Sequence, residues 1–191
     1  MIRTARLAAL LLIPALGAAT WARDPKAFRK DASHSRIGFI ADAKLHTADG
    51  RFMNWDADIT FDPTAIEKTR LAITIDLKSV NTDVNMRDND IRSCNFFCVD
   101  SFPNATFVSA IVNKVGENKL NITGDFTLRG HTKRITIPAT LVFWEEATQR
   151  GRVKGQVTIQ REDYGVSGHP RMNPVENDVI ITFDVSFVEK K

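Results

Sequence analysis

Apolar and polar residues alternate along most of this chain, and each alternating run predicts a β-strand with one greasy face and one wet face. The first run places Ile37, Phe39 and Ala41 on one side and extends towards His46, after which Asp49 and Gly50 read as a hairpin turn. In the second, Met53, Trp55, Ala57, Ile59 and Phe61 share a face opposite Asn54, Asp56, Asp58 and Thr60. Beyond the break at Asp62 and Pro63, a third run aligns Leu71, Ile73, Ile75 and Leu77. The fourth uses Ala105, Phe107, Ile111 and Val115, less cleanly, because Val108 and Val112 are apolar too. The remaining four carry Leu120, Ile122, Gly124, Phe126 and Leu128; then Ile135, Ile137, Ala139, Leu141 and Phe143; then Val153, Gly155, Val157 and Ile159; and finally Val179, Ile181, Phe183, Val185 and Phe187.

Residues 82–109 interrupt this period. Thr82 or Asp83 suits the N-cap of a short helix near residues 83–93, and Arg92 suits the negative pole of its dipole. Phe96 and Phe97 follow as an apolar plug, Pro103 ends the segment, and Ala105 and Phe107 return to strand alternation. The pattern is that of a helical lid inserted into a sheet protein.

Eight two-faced strands joined mainly by short turns predict an all-β fold, an eight-stranded antiparallel barrel with that helical insertion. The polar faces hold so many Asp, Lys, Arg, Asn and Thr residues that they must meet water, which sends the apolar faces into the lumen. A barrel that spans a membrane needs the reverse arrangement, so this one is expected not to. Periodicity alone leaves two interiors open, one filled by its own side chains and one holding a ligand.

Other features refine the picture. Arg3 and Arg6 precede an apolar run over residues 7–16 and a string of small residues, the composition of a secretory signal peptide cleaved after Ala22, or alternatively after Ala19. Removing residues 1–22 from 191 leaves 169, a single domain over residues 23–191 that is periplasmic or secreted. Two of the 26 basic residues leave with the signal while all 23 acidic ones stay, so the mature excess is one positive charge. Without a block of Lys and Arg, nucleic acid is not an expected partner. Cys94 and Cys98, the only cysteines, form a candidate disulfide in an oxidising compartment, the alternative being two buried thiols beside Phe96 and Phe97. His34, His46, His131 and His169 are scattered without metal-ligand spacing, and no nucleophile elbow is present, so no metal site and no catalytic residue are expected. The cluster Ser33, His34 and Ser35 reads as turn or cap hydrogen bonding, since neighbours on a strand point to opposite faces.

Seven motifs occur in order: H-S-R-I-G-F at residues 34–39, F-D-P at 61–63, R-D-N-D-I-R-S at 87–93, N-F-F at 95–97, F-P-N-A-T-F at 102–107, G-D-F-T-L-R-G-H-T-K at 124–133 and R-E-D-Y-G-V at 161–166. Together they resemble the YceI-like family. The resemblance implies a periplasmic or secreted lipocalin-like barrel whose elongated apolar cavity holds an isoprenoid, a quinone-like amphiphile or a fatty amide. Two departures stand out: an H-x-G segment frequent after the first strand is replaced here around His46, and Cys94 and Cys98 stand where the family tends to carry Asp or another residue.

The expected lumen and mouth residues are Phe39, Trp55, Phe61, Ile73, Ile75, Arg87, Phe96, Phe97, Phe107, Phe126, Phe143 and Phe183. Arg87, Asp88 and Arg92 either fasten the helix to the rim by charge-assisted hydrogen bonds or, for Arg87 or Arg92, meet a ligand head group. The leading function is a non-enzymatic carrier with no cofactor beyond an isoprenoid or quinone-like lipid as cargo. The alternatives are a solid-core interaction module acting through the lid or the loop at residues 163–177, and a lipid-acting enzyme. A homodimer through a strand edge stays open.

Overall fold

The computed structural model describes residues 25–168 and 174–190; the expected signal peptide, residues 1–22, and His169, Pro170 and Met172 of the long loop lie outside them. Among the described residues, eleven strands and one α-helix follow in the order β1 (Lys26–Lys30), β2 (Arg36–Ala43), β3 (Thr47–Phe52), β4 (Trp55–Phe61), β5 (Arg70–Asp76), β6 (Val80–Asn81), α1 (Asn85–Arg92), β7 (Asn104–Lys114), β8 (Lys119–Leu128), β9 (His131–Glu145), β10 (Arg150–Gln160) and β11 (Val175–Glu189). They form one antiparallel sheet that closes through β1 against β11, and eight strand positions complete the barrel.

Three of those positions are split. β11 pairs with β2 from Val175 opposite Ala43 to Asp184 opposite Arg36, then with β1 from Phe187 opposite Lys30 to Glu189 opposite Phe28. Between them the chain makes a 3-10 turn over Ala32–His34, where the Asp31 carboxylate accepts from the Ser33 amide at 3.1 Å and lies 3.0 Å from His34 Nδ1. Ser35 Oγ donates to the Ser186 carbonyl and accepts from its amide, both at 3.0 Å, replacing ladder bonds lost at the break. The Ser-His-Ser cluster is therefore joinery. Neighbouring breaks at Met53 and Asn54 and at Leu77–Ser79 are sewn together by Ser79, whose carbonyl and hydroxyl accept from the Met53 and Asn54 amides at 3.1 and 2.9 Å.

Four details depart from the periodic reading. The hairpin turn lies at residues 44–46, closed by the Ala43 amide on the His46 carbonyl at 3.0 Å, while Asp49 and Gly50 sit inside β3 opposite Ile40 and Phe39. Gly50 is there for space: a Cβ would come within 2.4 Å of the Phe39 ring. Met53, expected inside, falls at a strand break and is exposed. Bulges then shift the phase of two strands. One between Ser109 and Ile111 turns Val112 inward and Ile111 outward, with Val115 also exposed, and another at Val142 does the same for Trp144 and Phe143. Phe143, expected in the lumen, is thus on the outer wall and 47% exposed. Finally, β1 escaped the pattern because Lys26, Arg29 and Lys30 surround its single buried anchor, Phe28.

Trp144 joins Phe28, Phe61 and Phe187 in an aromatic cluster, with Trp144 and Phe61 ring centroids 4.9 Å apart, that closes one end of the barrel. At the other end β6 offers only two paired residues, and α1 with the loop after it roofs the space.

Candidate ligand-binding lumen

Inward residues of the strands border two adjoining spaces. The upper chamber, about 580 Å³, is walled by Phe39, Ala41, Ala48, Leu128, Ile159 and Val179 and roofed by Val84, Met86, Arg87, Asp90 and Ile91 of the helical lid together with Phe96 and Phe97. The deep chamber, about 120 Å³, lies against the aromatic base among Trp55, Phe61, Ile73, Phe107, Val112 and Phe183. Ile75, Phe126 and Ile181 border both and form the waist between them.

Small side chains create the upper space. Ala41, Ala43, Ala48 and Ala105 occupy inward positions there, whereas the deep wall has one alanine, Ala57, and apart from Trp55 and Thr69 is otherwise built of Ile, Leu, Val and Phe. Glycines flatten the aromatic residues against the wall: a Cβ at Gly155 would approach the Phe183 ring to 2.6 Å, and one at Gly124 the Phe107 ring to 2.6 Å, so each ring lies over bare backbone. The deep chamber is almost wholly apolar. Apart from the Trp55 indole its polar wall residue is Thr69, whose buried Oγ1 makes no hydrogen bond among the described residues. Behind Trp55, the Lys30 ammonium sits 4.1 Å from the ring centroid and donates to the Trp55 carbonyl, and burial pulls its pKa below the ordinary value.

The lid is held by charged donors on carbonyl oxygens. Arg92, expected at the end of the helix, donates through Nε to Lys78 and through Nη2 to Val80, at 2.9 and 2.7 Å. Arg129 reaches the Cys94, Phe96 and Gly165 carbonyls and ties the loop after α1 to the β10–β11 connection. Arg161, 8% exposed, uses all five N–H donors on Glu176, Val166, Ser167, Val175 and the Glu162 carboxylate. Nothing in the alternation marked these two arginines; only their places in the 124–133 and 161–166 motifs did. Tyr164 packs edge-on against Phe126 at 5.3 Å, and burial, then Asp163, push its hydroxyl up to about 12.

Neither expected cap residue caps α1, whose N-cap is Val84 with no side-chain hydrogen bond. Thr82 instead gives its amide and hydroxyl to Asp88 Oδ1 at 2.8 and 2.6 Å, both residues being buried, while its own oxygens receive Arg87. Cys94 and Cys98 are bridged, with Cα atoms 3.8 Å apart. Their closeness comes from a tight loop just past the helix, in which Cys98 adopts a positive φ of 53°, rather than from helical spacing. Phe96 and Phe97 lie inside this five-residue ring and face the upper chamber.

Of the residues expected in the lumen, the structure places Phe39, Arg87, Phe96 and Phe97 around the upper chamber, Trp55, Phe61, Ile73, Phe107 and Phe183 around the deep one, and Ile75 and Phe126 at the waist. Among the described residues no three His, Cys, Asp or Glu side chains gather as metal ligands, and no helix is long and apolar enough to cross a membrane.

A family model for the YceI-like domain matches residues 28–187. The chain belongs to the YceI-like family. A UPF0312 protein of Pseudomonas savastanoi pv. phaseolicola is 32% identical over 170 residues, covering 85% of each chain. BcnA of Burkholderia cenocepacia shares the fold with a TM-score of 0.76 at 24% identity, over 82% of this chain and 98% of BcnA. A polyisoprenoid-binding domain from Saccharophagus degradans, implicated in plant cell wall breakdown, aligns with a TM-score of 0.66 at 19% identity, over 86% of this chain and 99% of that domain. The seven motifs read from this YceI-like sequence all fall at least partly within the matched residues.

Proposed function

We propose that this chain is an exported carrier that holds one isoprenoid, quinone-like or other long-chain amphiphile in its lumen for transport, storage or sequestration, without chemistry. One observation carries the reading: behind a fastened lid the upper half of the barrel leaves about 580 Å³ bounded mainly by apolar side chains. An eight-stranded barrel is just wide enough to be filled by its own residues, so an unfilled half is a choice made by the alanines and by Gly50, over which the Phe39 ring lies. A chain buried there gains about 25 cal/mol for each Å² of apolar surface removed from water. Support for the ligand class comes from the polyisoprenoid-binding domain of the same fold.

The test is native mass spectrometry of protein purified from the cells that make it, followed by organic extraction. A stoichiometric amphiphile that is lost in Trp55→Arg or Phe126→Asp is the expected result. A clean apo mass, with no uptake of isoprenoid or fatty-amide probes, overturns the carrier and moves weight to a partner-binding module. Export is tested separately: the mature protein is expected in the periplasmic or secreted fraction with Arg23 as its first residue.

A further inference from the structure

The groups that border the upper chamber include four polar side chains, His46, Arg87, Asp90 and Arg161. Arg161 has no donor left, and Asp90 Oδ1 accepts from Asn95 Nδ2 at 3.1 Å in the loop after the helix. Arg87 differs. Its Nε donates to Thr82 Oγ1 at 2.8 Å and its Nη2 to the Thr82 carbonyl at 2.7 Å, but among the described residues its Nη1 has no acceptor and no carboxylate lies within ion-pair distance. Elsewhere on the barrel, guanidinium groups have carboxylates to face, as in Arg134 with Asp125 and Arg152 with Asp184.

The support beneath Arg87 is unusually fixed. Asp88 and Thr82 are each only 4% exposed, and the Asp88 carboxylate is spent on Thr82 rather than on the neighbouring cation. Burying a carboxylate is expensive, and here its effect is to lock the residue that aims Arg87. A half-buried guanidinium with three unused N–H donors, two of them on Nη1, held at the edge of an apolar chamber, suits an oxygen anion: charge-assisted hydrogen bonds are the strong ones, and a low local dielectric strengthens them further.

We propose that Arg87 receives the head group of the bound amphiphile and selects an anionic head, a phosphate or carboxylate, over a neutral one. This rests on the carrier reading. Asp88 and Thr82 act as positioning residues, and the tail runs from Arg87 towards the waist at Phe126.

The experiment measures binding of geranylgeranyl phosphate and of geranylgeraniol, which share one tail, to the full mature chain and to Arg87→Gln, with inorganic phosphate as competitor. The wild type is expected to favour the phosphate by about tenfold or more, and Arg87→Gln to lose that preference while still binding the alcohol, which also shows that the variant folds. Inorganic phosphate alone is expected not to displace the lipid. Equal binding of both lipids by the wild type, or a preference that survives in Arg87→Gln, overturns the head-group assignment and leaves the carrier standing. Displacement by inorganic phosphate overturns it too, by reassigning Arg87 to free anions. Failure of both lipids to bind overturns the carrier and the assignment together.

Discussion

The upper and deep halves of this barrel come from the same alternating pattern, yet one holds about 580 Å³ and the other about 120 Å³. The deep half is packed as a protein core normally is, with branched and aromatic side chains over an aromatic base. In the upper half, alanines occupy inward positions, two of the three strand breaks border the chamber beside Phe52 and Leu77, and closure depends on a lid fastened by arginines to carbonyl oxygens. Alternation says which way a side chain points, and side-chain size then decides whether the space is filled. Stability should therefore reside in the deep half and capacity in the upper one.

The largest test of that division is at the base. Phe61→Ala and Phe28→Ala, which remove a ring from the four-membered aromatic cluster, are expected to destabilise by about 3–5 kcal/mol in chemical denaturation. Met86→Ala on the lid, where the side chain is 83% exposed, should change stability by about 0.5 kcal/mol or less. Similar losses at both places would mean that the lid belongs to the cooperative core.

Glycine substitutions sharpen the contrast. At Gly155 a methyl group would meet the Pro138 carbonyl oxygen at 2.4 Å as well as the Phe183 ring, and backbone cannot step aside. Gly155→Ala is expected to cost about 1–3 kcal/mol. At Gly50 the methyl would meet only side chains, the Phe39 ring and Thr82 Cγ2, and the ring can swing into the open chamber. Gly50→Ala should lose less stability than Gly155→Ala but more uptake of a fluorescent fatty probe.

Reducing the Cys94–Cys98 bridge is expected to have a smaller effect. A ring this small restricts the unfolded chain little, so the loss should be about 2 kcal/mol or less by thermal melting, with the change in amide exchange confined to the lid. The smallest effect is that of acid. Hydrogen bonds from Thr64, Arg134 and Arg152 hold the carboxyls of Asp62, Asp125 and Asp184 below their ordinary value. Their contribution is complete above the unfolded carboxylate pKa of about 4 and disappears as pH falls through the lower folded values. The melting temperature should drop over that acidic window and stay flat from there to neutrality.

Much of this architecture is legible in the amino-acid sequence. The eight strand positions, the inward apolar faces and the inward direction of eight of the nine expected lumen residues on strands follow from local chemistry, because a period of two reports side-chain direction directly, while Arg87, Phe96 and Phe97 lie in the segment that interrupts it. Phe143 failed for a physical reason: a bulge adds one residue to one strand and reverses the face of everything after it, and no local signal distinguishes Phe143 from Trp144 as the inward ring. Gly50 failed similarly, since a glycine that clears space for a ring across the sheet looks like one that turns a chain.

What the sequence determined by itself was the set of two-faced strands, the sign of each face and the family to which their motifs belong. Tertiary structure decided what happens where distant residues meet: whether the lumen is full, which arginines are spent on carbonyls and which keeps donors in reserve, and how Cys94 and Cys98 close on each other. Those outcomes depend on volumes and partners contributed from across the barrel, and a pattern read along one strand carries no information about them.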